Sequence, residues 1–108
     1  MTIQEKAKWK NWADCLRQEM MTGLTSEVTM SVDAIVSETA TTKAESTLQS
    51  VRFWRACQSG KSPNDFFATA GFEIEFEPND DRNVDEVTLR LNETWMTILN
   101  RVLERKRA

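Results

Sequence analysis

The densest group of side chains that could do chemistry is acidic and lies in FEIEFEPNDDRNVDE, residues 72–86. This segment contains seven carboxylates and a single base, Arg82, in a chain whose whole net charge is −3. Carboxylates at such density could hold a cation, exchange protons in catalysis, or attract a basic partner. The spacing of the acids and the residue types elsewhere in the chain help to separate these three possibilities.

Cation binding is the first of them. Asn79, Asp81 and Asn83 have the alternating oxygen ligands that begin a calcium-binding loop. That loop needs a glycine at its sixth position and a bidentate acid at its twelfth, and this chain has Val84 and Arg90 there. An EF-hand is therefore excluded, and we predict no metal site.

Catalysis is also disfavoured. The chain contains no histidine, which removes the commonest general base and nearly every zinc site. Its two cysteines, Cys15 and Cys57, have no identifiable base, and we expect them to be reduced and packed. The GKS tripeptide at 60–62 resembles the end of a P-loop but lacks the first glycine, because Arg55 stands there. We predict a protein that is not an enzyme and has no cofactor.

Docking onto a basic surface is the remaining possibility. Alternation in FEIEFE predicts a strand with its three glutamates on one solvated side, and a polar loop follows it. Trp12, at the margin of an apolar helix face, is a candidate anchor for the same partner. The predicted partner-binding residues are Glu73, Glu75, Glu77, Asp80, Asp81 and Trp12. Asp85 and Glu86 are assigned instead to capping the last helix.

Length and composition bound the class of protein. A chain of 108 residues fits one domain, 1–108, and a pI near 5.0 disfavours direct nucleic-acid binding. No apolar run is long enough for a signal peptide or a membrane span, so we expect a cytoplasmic protein.

Helical periodicity dominates the rest of the chain. Apolar residues recur at spacings of three and four from Trp9 to Met20, and Gly23 follows as a stop signal. The pattern predicts helices at 3–21, at 43–59 with a Thr42–Glu45 capping box, from Ser62 to near Gly71, and at 84–106 with an Asn83–Glu86 capping box. Residues 24–40 fit a helix or a strand, and we favour the helix because its pattern is longer.

These elements predict a mostly α fold, with four or five helices in a small bundle and one extended segment at 72–77. The alternative is an α+β fold in which 72–77 forms a hairpin with 86–91. We expect the continuous helical stripe through 86–91 to decide for the bundle.

Three functions are compatible with this pattern. The leading hypothesis is a non-catalytic adaptor, inhibitor or small regulatory subunit that binds a larger protein or nucleoprotein with a basic surface. Small accessory proteins of phages and other mobile elements have a comparable profile. The second is a self-assembling structural subunit or homodimer, in which the lone strand pairs with a second copy. The third, a helix-turn-helix DNA-binding protein, is disfavoured because the SPNDFFATAG segment places an acid and two phenylalanines in the recognition helix.

Overall fold

A three-stranded antiparallel sheet and six helices account for the regular structure of the described residues, 2–39 and 45–107, of a computed structural model. In chain order the elements are α1 (Ile3–Thr22), β1 (Glu27–Ser31), α2 (Val32–Glu38), α3 (Glu45–Leu48), α4 (Val51–Ser59), α5 (Phe66–Thr69), β2 (Phe72–Phe76), β3 (Glu86–Leu91) and α6 (Glu93–Arg107). Helices predominate, as predicted, but the fold is α+β, and it matches the alternative with a hairpin more closely than a helical bundle.

The sheet has the order β1-β3-β2, with the last strand in the sequence at its centre. Arg90 of β3 lies opposite Glu27 on one side and Glu73 on the other. FEIEFE is therefore a paired strand, and the prediction of a lone extended segment is wrong. Because β1 joins from far away in the sequence, the sheet also has a strand that the hairpin alternative lacked.

The single helix predicted over 84–106 is wrong in its first part. Residues 86–91 form β3, and α6 begins only at Glu93. Val84, Val87 and Leu91 satisfy a helical spacing, but alternate burial from Glu86 to Leu91 satisfies a strand equally well. Pairing with neighbours on both sides decides for the strand, since each amide then finds a partner in a ladder.

The predicted capping of this helix is wrong for the same reason. Asn83 precedes a strand, and Asp85 and Glu86 belong to its entrance. The cap of α6 is Asn92, whose side-chain Oδ1 accepts a hydrogen bond from the Trp95 amide at 3.1 Å.

Three other predicted helices have different bounds. Residues 24–40 contain a strand and then a helix, with Ser31 capping α2 through the Ala34 amide at 3.1 Å. The predicted helix at 43–59 is interrupted between Leu48 and Val51, where Ser50 caps α4; Thr42 of its predicted box lies outside the described residues. The predicted helix from Ser62 begins only at Phe66, and α5 is four residues long.

The first helix is confirmed almost residue for residue. It spans Ile3–Thr22, and Gly23 ends it with its amide bonded to the Glu19 carbonyl at 2.9 Å. Its N-terminus is closed by a reciprocal pair of hydrogen bonds between Thr2 and Glu5.

An aromatic cluster forms the centre of the core between the helices and one side of the sheet. Trp9 of α1 is fully buried, and its ring contacts the four rings of Phe53, Trp54, Phe66 and Phe67 at centroid distances of 5.5–6.2 Å. The indole N–H of Trp54 donates to the Leu48 carbonyl at 2.8 Å, so this buried polar group is satisfied. From the sheet, buried side chains of β2 and β3 join this core: Phe72, Ile74, Val87, Leu89 and Leu91.

Burial alternates along the strands and so defines two sides of the sheet. In β3 the odd-numbered residues are buried, and the even-numbered Glu86, Thr88 and Arg90 are not. In β2, Glu73 and Glu75 are likewise exposed. We call the side that bears Glu86, Thr88 and Arg90 of β3, with Glu73 and Glu75 of β2, the outer side of the sheet.

Candidate functional site

Carboxylates from all three strands meet on the outer side of the sheet. Glu27 comes from β1, Glu73 and Glu75 from β2, and Glu86 from β3, and Glu77 directly follows β2. All five are exposed. Neighbouring strands of a sheet lie about 4.8 Å apart, so strand pairing gathers acids that are distant in the sequence onto one surface. We call these five residues the acidic face.

One cation lies among them. Arg90 Nη1 is 2.5 Å from Glu75 Oε1, and its Nε and Nη2 donate to Glu27 Oε2 at 3.1 and 3.0 Å. The guanidinium thus bridges the two edge strands across the central one. The hydrogen bonds that Arg90 donates to Glu75 and then to Glu27 raise the pKa of Arg90 above its ordinary value, so its charge is permanent in any working buffer.

The other carboxylates of the acidic face have no such compensation. The side chains of Glu73, Glu77 and Glu86 make no hydrogen bond or ion pair within the described residues. Five carboxylates against one guanidinium leave a strong negative excess on a surface that no described helix covers. Because strands hold these residues, their spacing is fixed more firmly than it would be on a flexible loop.

The loop that follows β2 is ordered by its own polar groups. Asn79 Oδ1 accepts from the amides of Asp81 and Asn83 at 2.9 and 3.0 Å, and its Nδ2 donates to Asp85 at 3.1 Å. Arg82 has a positive φ of 59°. Asp80 and Asp81 are exposed at the tip of this loop.

Backbone bonds hold both sides of the loop's exit. The Val84 amide donates to the Gln49 carbonyl at 2.6 Å, and the Val32 amide donates to the Asp85 carbonyl at 2.8 Å. Val84 itself is fully buried. The loop acids therefore stand at a defined position at the end of the acidic face rather than on a free hairpin.

A shallow open depression lies where the acidic face meets this loop. It is lined by polar side chains that include Thr29, Thr88 and four carboxylates, namely Glu75, Glu77, Asp85 and Glu86. No group of three or more acids, cysteines or histidines in residues 2–39 and 45–107 is arranged to hold a metal ion. The depression is suited to long cationic side chains that approach from solvent.

Trp12 is placed elsewhere. It lies on α1, half-buried, with its ring edge-to-face against Phe67 and its indole N–H donating to Glu38 at 2.7 Å. The structure thus places Glu73, Glu75 and Glu77 on the outer side of the sheet and Asp80 and Asp81 in the loop that follows β2, and it leaves Trp12 out of this surface.

Sequence reasoning missed three participants in the acidic face. Glu27 and Arg90 were hidden because the helical interpretation was preferred for both of their segments, and Glu86 was assigned to a cap. The signal was present in the alternation of EVTMS and EVTLRL, which places Glu27, Glu86 and Arg90 on the polar side of a strand.

The two thiols differ in environment. Cys57 is buried in α4, as expected, and burial raises the pKa of its thiol to about 12. Cys15 is exposed on α1, so the expectation that it would be packed is wrong. Neither belongs to the acidic face.

Comparison with models of known protein families, with curated proteins and with solved structures gave no significant match. No helix in the described part of the chain is both long enough and apolar enough to cross a membrane.

Proposed function

We propose that this protein is a non-catalytic binding protein that uses the acidic face to cover a lysine- or arginine-rich surface of a larger protein. It would act as an adaptor, an inhibitor or a small regulatory subunit, of the kind encoded by phages and other mobile elements. Its place of action on this proposal is the cytoplasm, where two unpaired cysteines stay reduced.

The observation that supports this proposal most is the uncompensated charge of the acidic face. Glu27 and Glu75 are satisfied by Arg90, but the exposed carboxylates of Glu73, Glu77 and Glu86 have no counter-ion among the residues that the structure describes. Folding alone gives no reason to concentrate them, because like charges on neighbouring strands destabilise a sheet. A basic partner surface would relieve that repulsion on binding.

The kind of partner follows from the geometry of the donors it must supply. Carboxylates spread over three strands and an adjoining loop favour several cationic side chains on a broad surface over one small ligand. A nucleic acid is disfavoured as a direct ligand, since its phosphates would face the same negative charge. Helix α5, the second helix of the predicted DNA-binding pair, has four residues and buries both of its phenylalanines, so we do not propose DNA binding.

The test compares two double variants with the same change in charge. Glu73→Gln/Glu77→Gln removes two uncompensated acids from the acidic face and leaves the Arg90 ion pairs intact. Glu19→Gln/Glu104→Gln removes two exposed acids from α1 and α6. Each immobilised variant is used to capture proteins from a cell lysate at low and high salt. The captured protein is then purified, and its rate of association with each variant is measured.

We expect association with the wild type and with the helix variant to be similar. The acidic-face variant should associate roughly tenfold more slowly at low salt, and the difference should shrink as salt screens the charges. Equal association rates for the two variants at low salt would remove the acidic face from the binding reaction. A captured protein without a basic surface would contradict the proposed partner.

A further inference from the structure

The two edges of the sheet are not equivalent. In β1, the Ser26 carbonyl accepts from the Leu91 amide at 3.0 Å, and the Val32 amide donates to the Asp85 carbonyl at 2.8 Å. These bonds show that the backbone amides and carbonyls of the even-numbered residues of β1 point toward β3, since the direction of these groups alternates along a strand. The amides and carbonyls of Glu27 and Thr29, together with the Ser31 amide, therefore point outward, and no described residue pairs with them.

The opposite edge is partly occupied. In β2 the outward groups belong to Phe72, Ile74 and Phe76, and the Ile74 carbonyl accepts from the Gln58 side chain of α4 at 2.9 Å. The Asn92 amide bonds to the Gly71 carbonyl at 2.8 Å and extends the pairing of β2 with β3 by one position. Of the two edges, β1 is the more available for a further strand.

We propose that β1 pairs antiparallel with β1 of a second copy of this chain, about a two-fold axis at Thr29. The two copies then share one continuous six-stranded sheet. In this register Thr29 lies opposite Thr29, and their backbones exchange two hydrogen bonds. Each Ser31 amide also reaches the Glu27 carbonyl of the second copy.

Side-chain chemistry supports a second copy as the occupant. About this axis Glu27 lies opposite Ser31, and Val28 lies opposite Met30. No like charges are opposed, and the two half-buried apolar residues on the inner side become better covered.

The same operation on β2 is unfavourable. A two-fold axis at Ile74 places Glu73 opposite Glu75 twice on the outer side of the sheet. Two pairs of opposed carboxylates disfavour self-pairing there. Each copy then offers one self-complementary edge, and assembly stops at the dimer.

The dimer goes beyond the proposed function and is measured without any other protein. Sedimentation equilibrium of the wild type up to hundreds of micromolar should show a monomer–dimer equilibrium with no larger species. Thr29→Pro removes an outward amide and the hydroxyl that bonds to Thr88, but no backbone bond between β1 and β3, so it should sediment as a monomer with an unchanged circular dichroism spectrum. Thr29→Val keeps the amide and removes only the hydroxyl bonded to Thr88 at 2.9 Å, so it should remain dimeric.

Crosslinking tests the register and stays informative if Thr29→Pro fails to fold. In a Cys15→Ser background, Thr29→Cys should form a disulfide with itself on mild oxidation, because directly opposed residues lie about 5.5 Å apart. Glu27→Cys alone and Ser31→Cys alone should form no disulfide between copies, and a mixture of the two should crosslink. A strictly monomeric wild type, a dimer that survives in a folded Thr29→Pro variant, or equal self-crosslinking of Glu27→Cys would each overturn the proposal.

Discussion

The two sides of the sheet differ in the kind of residue that they carry: one is apolar and buried, and the other is charged and exposed. The inner side is filled by apolar residues of β2 and β3 that continue into the aromatic cluster around Trp9. The outer side, which no element of the described chain buries, carries five exposed carboxylates with Arg90 as a counter-ion. The same strands therefore contribute apolar packing on the inner side of the sheet and exposed charges on the outer side.

This difference separates the side of the sheet that stabilises the fold from the side that we propose for recognition. Burial of apolar surface supplies most of the free energy of folding, whereas exposed ion pairs supply little. A change on the inner side should lower the free energy of unfolding, and a change on the outer side should alter association with little effect on folding.

Trp9→Ala should have the largest effect on stability. The ring is fully buried and touches four other aromatic rings, and truncation of a buried tryptophan costs about 3–5 kcal/mol. Urea denaturation followed by circular dichroism measures the loss. Trp12→Ala is the matched control, because Trp12 is on the same helix but only half-buried. Equal losses for the two variants would contradict the placement of the core.

Gly71→Ala should destabilise the protein by roughly 1–3 kcal/mol, through overpacking and an unfavourable backbone angle. Gly71 has a φ of +99°, and an added Cβ would clash with Cδ1 of Trp95. Movement of Trp95 would also disturb Arg17, whose guanidinium carbon lies 4.3 Å from the Trp95 ring centroid.

The control for this prediction is Gly23→Ala. Gly23 has an ordinary φ of −83°, and an added Cβ would come no closer than 3.3 Å to a neighbour, the Glu19 carbonyl. We expect thermal unfolding to shift clearly less in this variant. A shift as large as that of Gly71→Ala would mean that the close approach of Trp95 is unimportant.

Cys57 predicts a dependence of stability on alkaline pH. Burial raises the pKa of its thiol from an ordinary 9.0 to about 12. Between these values the unfolded chain loses the thiol proton while the folded chain keeps it, so stability falls as pH rises, by at most about 1.4 kcal/mol per pH unit. Below pH 9 both states keep the proton, and the contribution is constant.

The measurement compares unfolding free energies of the wild type and Cys57→Ala between pH 8 and pH 11, as a difference in slope. Lysines also titrate in this range, but they affect both proteins alike. In the native protein a thiol reagent should modify Cys15 readily and Cys57 only after unfolding; rapid modification of both would contradict the burial of Cys57.

The sequence was informative wherever one periodicity was clear. Helix α1 and strand β2 were predicted almost within a residue, since apolar side chains recur at spacings of three and four in one and of two in the other. Val87 to Leu91 satisfied both periodicities, and only pairing with β1 and β2 selects the strand. The pattern within one segment does not indicate which distant segment it pairs with, and Glu27 and Arg90 are 63 residues apart.

The acidic face was likewise predictable within one strand but not across strands. Glu73, Glu75 and Glu77 could be placed on one side because they alternate within a single strand. Their convergence with Glu27 and Glu86 depends on the order of the strands, which no property of residues 72–77 specifies. Trp12 was predicted as a partly exposed anchor, and its hydrogen bond to Glu38 could not be foreseen because that acceptor lies on another helix.

The smallest expected effect belongs to the acidic face itself. Glu73→Gln/Glu77→Gln should leave the free energy of unfolding unchanged or raise it by less than about 0.5 kcal/mol, because the substitution relieves repulsion and removes no hydrogen bond. The increase should be largest at low salt and should fade as the charges are screened. Urea denaturation at two salt concentrations measures both quantities. Arg90→Gln is the opposite change, since it leaves Glu27 and Glu75 without their counter-ion, and it should lower stability most at low salt. A loss of stability in the double glutamine variant would show that these acids stabilise the fold, and the outer side of the sheet would then no longer be a surface free for recognition.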